Sequence, residues 1–366
     1  MMHRRVLNRR FFFFILALAL GGFFIFLSAS LGLLNRGGAS YGRVILKQLL
    51  ILIGAIGLML MAANFDYHRL RRWALPIFLV ALAVSLLVFV PGLGFSSGGA
   101  RRWLSIGTQT FQPSELLKLG FIIYLAAWLT RTNVQLTSWA SGFLPFVLLM
   151  GVTGATLIAE PDLGTFSVLA VSALVMFFVA GGHWRQLLLI SVLGLILIGG
   201  TIAAKPYARE RILTFIHPQE NLLTSSYQLN QSLIAIGSGG WLGRGLGRSI
   251  QKFNYLPEPI GDSIFAVAAE EFGLFGGLSI ILIFIIFAWW GLALAAQASD
   301  RFGRVLITGI IVLIATGAFV NIASMLGLLP LTGIPLIFIS HGGSSLLFSL
   351  LGCGIILNVG RFALKS

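Results

Sequence analysis

Acids, cysteines and polar stretches are what this sequence of 366 residues has least of. Its one cysteine, Cys353, excludes an internal disulfide and a thiolate metal cluster, and its place inside an apolar run makes it a small packing residue. Only 10% of the residues are charged and 57% are hydrophobic. No segment is polar enough to form a separate soluble unit, so one transmembrane domain over residues 1–366 is expected. A mean hydropathy of +0.96 makes the chain an all-α, polytopic membrane protein. The 25 Lys and Arg outnumber the 11 Asp and Glu, for a net charge of +14. These bases lie in short clusters between apolar runs, as topology signals do, which argues against a nucleic-acid partner. Heptads, low-complexity tracts and short-period repeats are also missing.

The N-terminal "MMHRRVLNRR" precedes an uncharged run from Phe11 to Asn35. That run is longer than the roughly 7–15 residues of a signal-peptide core, so it reads as a retained first helix. A crossing helix needs about 20 apolar residues. With charged and Pro/Gly clusters as separators, spans are expected near 11–34, 44–63, 74–91, 113–130, 142–159, 163–181, 186–204, 264–296, 304–326 and 337–359. No Asp, Glu, Lys or Arg occurs between Val305 and Gly360, so the last two spans must be divided by a hairpin at "GLLPLTGIP" (327–335). Arginines before the first span, at Arg69, Arg71 and Arg72, and at Arg131, Arg185, Arg301, Arg304 and Arg361 put both termini in the cytoplasm. Two longer connections, 92–112 and 205–263, then lie outside, and connections that long are commonly functional.

Several polar groups fall at that outer boundary. Pro113 starts the fourth span and leaves Glu115 and Lys118 three residues apart on one helix face, either a mutually neutralising pair or the lining of a polar cavity. Arg101 and Arg102 lie just before it, where cations suit a phosphate-bearing ligand or anchor at the interface. "AEPDLGTF" adds Glu160 and Asp162 in a tight turn, with Asp162 a natural helix cap. In the long loop, Gln228, Gln231 and Ser232 share helical spacing, and a glycine-rich turn carries Arg244, Arg248 and Lys252, suited to an anion such as diphosphate or to a solvated hinge. "LPEPIGDSIFAVAAEEFG" places Asp262 immediately before the eighth span, where it can cap the helix, act as a base or hold a metal. Glu270 and Glu271 follow inside the span, and at least one must face the bundle. "SHGGSSLL" brings His341, Ser344 and Ser345 to the start of the tenth.

The stretches "GARRWL", "FQPSELLKL", "AEPDLGT", "YQLNQSLIAIGSGG", "GLGRSIQKFNYLPE" and "ISHGGSSLL", in this order and across nearly the whole chain, resemble the SEDS family, which includes FtsW, RodA and SpoVE. The resemblance implies a peptidoglycan glycosyltransferase in the bacterial cytoplasmic membrane. It would polymerise lipid II with a class B penicillin-binding protein as transpeptidase, among other division proteins and membrane lipids. The family's essential aspartate maps onto Asp262, its Ser-Glu-x-x-Lys element onto Glu115 and Lys118, and the arginine before Trp-Leu onto Arg102. No organic cofactor is implied; Mg²⁺ or Mn²⁺ is the candidate metal. "QSLIAIGSGG" with "SIQKFNYLPE" is nearer to FtsW than to the elongation protein RodA. The family's usual "LPEAHTDFIF" is "LPEPIGDSIF" here, and "SYGGSS" is "SHGGSS", which exchanges a phenol for the His341 imidazole. A lipid II flippase is the alternative, since intramembrane charges also suit transport, although no internal duplication is evident.

Overall fold

A computed structural model describes residues 8–36, 39–97, 100–106, 109–132, 135–217 and 226–362. Its helices are α1 (Arg9–Ser30), α2 (Ala39–Asn64), α3 (His68–Leu86), α4 (Pro113–Leu129), α5 (Leu144–Ala159), α6 (Leu163–Val179), α7 (Trp184–Ala204), α8 (Pro206–Ile216), α9 (Tyr227–Ser238), α10 (Ile264–Ala296), α11 (Arg301–Met325) and α12 (Gly343–Arg361). All except α8 and α9 coincide with expected spans. Among the described residues, eight helices are long and apolar enough to cross a membrane, α5 together with the helical turn at Trp139–Phe143 before it. The other two, α4 and α6, have 17 residues each, about 26 Å of helix at 1.5 Å per residue.

Local chemistry sets the helix ends. The Asn8 side chain accepts from the Phe11 N–H, Asp162 from that of Thr165, and Asp300 from that of Gly303, each at an N-cap. Pro113 opens α4, where its missing N–H costs nothing. The third span begins at His68, earlier than expected, because Arg69, Arg71 and Arg72 sit in its first turns and are exposed; long basic side chains can extend to the interface from there.

The last hairpin differs more. Instead of a span from 337, the chain runs without helix from Pro330 to Gly342 before α12. Pro330 and Pro335 each remove a backbone donor, and the stretch is held by other partners: Asn321 Nδ2 donates to the Ile334 carbonyl (2.7 Å), and the Leu336 N–H donates to Ser340 Oγ (2.8 Å).

One element lies beyond the all-helical expectation. The strands β1 (Gly94–Ser97), β2 (Ala100–Ile106) and β3 (Gln109–Phe111) form an antiparallel sheet in the order β1-β2-β3. The amphipathic α8 and α9 make the long loop ordered where it is described.

The core runs through α4, α11 and α12, with α3 on α4, α6 and α10 on α11, and α2 on α12. The central position of α11 shows in its burial, 78% of its apolar window against 11% for α7. Helix α10 is broken at Gly273, whose φ of 69° and ψ of −164° belong to neither helix half. The glycine-rich turn after α9 fills that break: the Arg244 and Gly245 N–H groups donate to the Glu270 and Glu271 carbonyls (3.0 and 2.9 Å), and the Leu274 N–H donates to the Gly240 carbonyl (2.8 Å). Carbonyls and N–H groups orphaned by the break are thereby paired.

Candidate active site

Asp262 lies in the turn that leads into α10. Hydrogen bonds from α11 and from the non-helical stretch before α12 fix the backbone around it. The His341 N–H donates to the Ile260 carbonyl (2.6 Å), Ser340 Oγ to the Gly261 carbonyl (2.6 Å) and Asn321 Nδ2 to the Asp262 carbonyl (2.8 Å). From α9, Gln228 Nε2 donates to Ser263 Oγ (3.0 Å). The buried Oδ1 of Asp262 has no hydrogen-bond partner in the protein. Burial pushes this carboxyl up from its ordinary 3.8 to about 6, with the Glu258 charge adding to the rise and Gln228 and Arg211 opposing it.

Arg211, on α8, approaches from the other side and donates from Nη1 to the Thr332 carbonyl (2.9 Å). A methyl group built on Gly333 would lie 3.7 Å from Arg211 Nη2 and 3.9 Å from Asp262 Oδ2, so cation and carboxylate both border this glycine. The charges of Arg102, Asp162 and Asp262 all reach Arg211. Arg102 projects from β2 onto the α5–α6 turn, where it donates to the Glu160 carbonyl (3.1 Å) and to the Pro161 carbonyl and stands 3.9 Å from Asp162 Oδ1. Arg101, its neighbour on the strand, is exposed, as the alternation of a strand requires.

Glu160 and Asp162 are both buried, at 0% and 3% exposure. Ser85 Oγ donates to Glu160 Oε1 (2.6 Å), while Glu160 Oε2 and Asp162 Oδ2 lack partners. Burial is the main cause that raises Glu160 to about 7. Arg211 thus links two groups: Asp262 with Gln228 and Glu258 on one side, and Arg102, Asp162 and Tyr207 on the other, with Glu160 next to Arg102 and Asp162.

Other predicted site residues have different surroundings. Glu115 and Lys118 do pair, at 2.9 Å, and both are buried. They line a small cavity of about 20 Å³ with Leu119, Ile310 and Phe348, enough for a water and far too small for a sugar. The pair therefore neutralises itself inside the bundle, as one of the two sequence readings had it.

The cationic turn needs a larger correction. Lys252 is 1% exposed, and its Nζ bonds Glu271 Oε1 (2.6 Å) and the Ser28 carbonyl (3.0 Å), so it cannot meet a ligand. Arg244 leans on Glu270 (3.4 Å). Glu270 further accepts from Ser249 Oγ and the Ile250 and Gln251 N–H groups, and Glu271 from Ser28 Oγ. These two acids staple the turn to α10. Arg248 is exposed at its rim.

On α9, Ser232 is fully buried and bonds the Gln228 carbonyl and Met325 Sδ, which makes it a packing group, while Gln231 is half-buried one turn from Gln228. The His341 ring stacks on Phe26 of α1 at 5.7 Å, and burial, with a smaller push from Lys47, lowers its pKa, so it is neutral at pH 7. Only its backbone reaches the Asp262 turn. Ser344 Oγ accepts the Gln112 N–H (3.1 Å) and Ser345 is buried, so both serve the helix junction.

Arg211, Tyr207 and Asn321 carry no part in the sequence reading. Charged residues in "PYARERILTF" and an asparagine in an otherwise apolar span were the available signals.

The family described as Cell cycle protein, which groups FtsW, RodA and SpoVE, matches residues 9–365. The chain is 39% identical over 318 residues to the stage V sporulation protein E of Bacillus subtilis (strain 168), covering 87% of each. It is 41% identical over 313 residues to a probable peptidoglycan glycosyltransferase FtsW of Geobacter sp. (strain M18), covering 86% of this chain and 85% of that one. Among solved structures, a chain of a peptidoglycan synthase complex that coordinates polymerization and crosslinking superposes with a TM-score of 0.79 at 26% identity, over 97% of this chain and 98% of that one. The rod shape determining protein RodA of Thermus thermophilus gives 0.69 at 26% identity over 99% of each chain.

Proposed function

The chain belongs to the FtsW/RodA/SpoVE family, and from that premise we propose that this multi-pass membrane protein is a peptidoglycan glycosyltransferase whose base is Asp262. Its substrate in this reading is lipid II, polymerised into β-1,4 glycan at the outer membrane face, with both termini in the cytoplasm. Identities of 39–41% to SpoVE and FtsW, against 26% to RodA, support a role in division-type wall synthesis. The similarity to a chain of a peptidoglycan synthase complex supports a class B penicillin-binding protein as partner.

One observation carries the proposal: the Asp262 carboxylate is held by a clamped backbone, with its buried Oδ1 unpartnered and the Arg211 cation nearby. The acceptor's GlcNAc 4-hydroxyl gives its proton to Asp262 as its oxygen bonds to C1 of the donor MurNAc. The C1–oxygen bond to diphosphate breaks, and undecaprenyl diphosphate leaves with the electron pair. The α-linkage inverts to β in a single displacement. Diphosphate is already a good leaving group, so one base suffices where an inverting hydrolase uses a base and an acid. A pKa near 6 leaves Asp262 ionised at pH 7 and more basic than an ordinary carboxylate. Arg102, braced by the Glu160 and Pro161 carbonyls, offers positive charge to the diphosphate. A divalent ion, Mg²⁺ or Mn²⁺, enters this reading only with substrate. Among the described residues no three His, Cys, Asp or Glu side chains converge, so donor phosphates and water would supply most of its ligands, and it would screen their charge.

The test reconstitutes the protein with its transpeptidase and lipid II. Wild type is expected to make glycan, and Asp262→Asn to be slower by about 10²–10⁴-fold. Polymerisation by the Asn variant at the wild-type rate overturns the base assignment. Translocation of labelled lipid II without any glycan overturns the reaction itself and favours a transporter.

A further inference from the structure

Two of the cations that the sequence offered for the donor's diphosphate, Lys252 and Arg244, are bound instead to Glu271 and Glu270. We infer that Arg211 of α8 takes their place, gripping the diphosphate of a polyprenyl donor beside Gly333 and Asp262. This inference rests on the glycosyltransferase reading and adds to it a binding residue.

The geometry of the guanidinium comes first. Its Nη1 is anchored on the Thr332 carbonyl at 2.9 Å, so the planar fork is held in place before any ligand arrives. Its Nη2 lies 3.7 Å from the point where a Gly333 methyl would sit, with Asp262 Oδ2 3.9 Å from the same point. In an in-line displacement the leaving group departs from the carbon that the base-activated oxygen attacks. A fixed guanidinium this near the base is within reach of that departing oxygen.

The second observation is independent. The buried hydroxyls of Tyr207 and Thr332 have no hydrogen-bond partner in the protein. Tyr207 lies four residues before Arg211 on α8, hence on the same helix face, and Thr332 is the residue whose carbonyl holds the guanidinium. Two hydroxyl donors with no partner beside a fixed guanidinium form a set that phosphate oxygens satisfy. Arg102 is near enough for the two like charges to oppose each other, with Asp162 between them in effect. Added negative charge relieves that opposition.

The measurement is binding, independent of turnover. The full-length protein in nanodiscs is titrated with undecaprenyl diphosphate and, separately, with undecaprenyl monophosphate. Wild type is expected to prefer the diphosphate. Arg211→Gln should weaken diphosphate binding about tenfold or more while changing monophosphate binding less, and Arg211→Lys should fall between. Tyr207→Phe, which removes one hydroxyl, should lose a few-fold for the diphosphate alone. Unchanged diphosphate affinity in Arg211→Gln, or an equal loss for both lipids in Arg211→Gln and Tyr207→Phe, overturns the inference. If Arg211→Gln does not fold, Tyr207→Phe and Arg211→Lys decide. Failure of the wild type to make glycan defeats the glycosyltransferase reading. Normal glycan synthesis with undiminished diphosphate binding by Arg211→Gln defeats only the role of Arg211.

Discussion

Exchanging Asp262 for asparagine should remove activity and, at neutral pH, make the protein more stable. The carboxyl is raised from 3.8 to about 6 chiefly by burial, so the folded state resists its ionisation. A shift of about two units corresponds to about 3 kcal/mol. Below pH 4 the folded and unfolded states both hold the proton, and wild type and variant should unfold alike. Between about pH 4 and 6 the unfolded chain releases a proton that the folded chain keeps, so wild-type stability falls as pH rises. Above pH 6 the whole cost is present and the gap to the Asn variant is constant. Thermal unfolding of both proteins in detergent, followed by tryptophan fluorescence from pH 4.5 to 8, reads this directly. The variant should gain several degrees at pH 7.5 and little at pH 4.5. Polymerisation by the wild type should rise over the same interval, with its acidic limb near pH 6. A variant less stable than wild type at pH 7.5, or a gap indifferent to pH, would mean that the structure requires this charge. The argument for a strained, reactive base would then be lost.

Removing Lys252 should act in the opposite sense. Lys252→Ala leaves Glu271 buried without its partner and should cost about 3–5 kcal/mol, seen as a lowered unfolding midpoint, while the lipid II dependence of the surviving protein stays as in wild type; a raised requirement for lipid II would return Lys252 to the anion site. Arg102→Ala should raise the lipid II concentration for half-maximal rate by about tenfold, since charge-assisted bonds contribute about 1.5–3 kcal/mol; an unaltered concentration dependence counts against its role.

The spans were legible because a bilayer imposes one rule: apolar helices long enough to cross, with cations between them. The rule fails where local chemistry competes with it. In the last hairpin, Pro330, Pro335 and side-chain bonds from Asn321 and Ser340 hold an unwound segment that hydropathy assigns in part to a helix. The short sheet of β1, β2 and β3 has too few residues for a period-two pattern to register. Within the site, Asp262, Arg102, Glu160 and Asp162 could be found as charges at the outer boundary. Arg211 could not, since only the tertiary fold carries α8 over Thr332 and Gly333.

The acids of this chain also show how a scaffold charge differs from a reactive one when composition and depth are alike. Glu270 and Glu271 stand between two and three helical turns past Asp262, and all are shielded by the same bundle. Both oxygens of each glutamate are engaged: Glu270 by Arg244, Ser249 and two backbone N–H groups, Glu271 by Lys252 and Ser28. Such carboxylates are spent on holding the turn in the break of α10, and nothing remains to accept a substrate proton. Asp262, Glu160 and Asp162 each keep one buried oxygen unpartnered. An unsatisfied carboxylate oxygen costs about 1–3 kcal/mol or more, and three of them, on acids that neighbour Arg102 or Arg211, are a cost that packing alone would not maintain. A charged, hydrogen-bonding substrate that enters this space satisfies them. The saturation of its hydrogen bonds, rather than its charge or its depth, separates the acid that builds the loop from the acid that uses it.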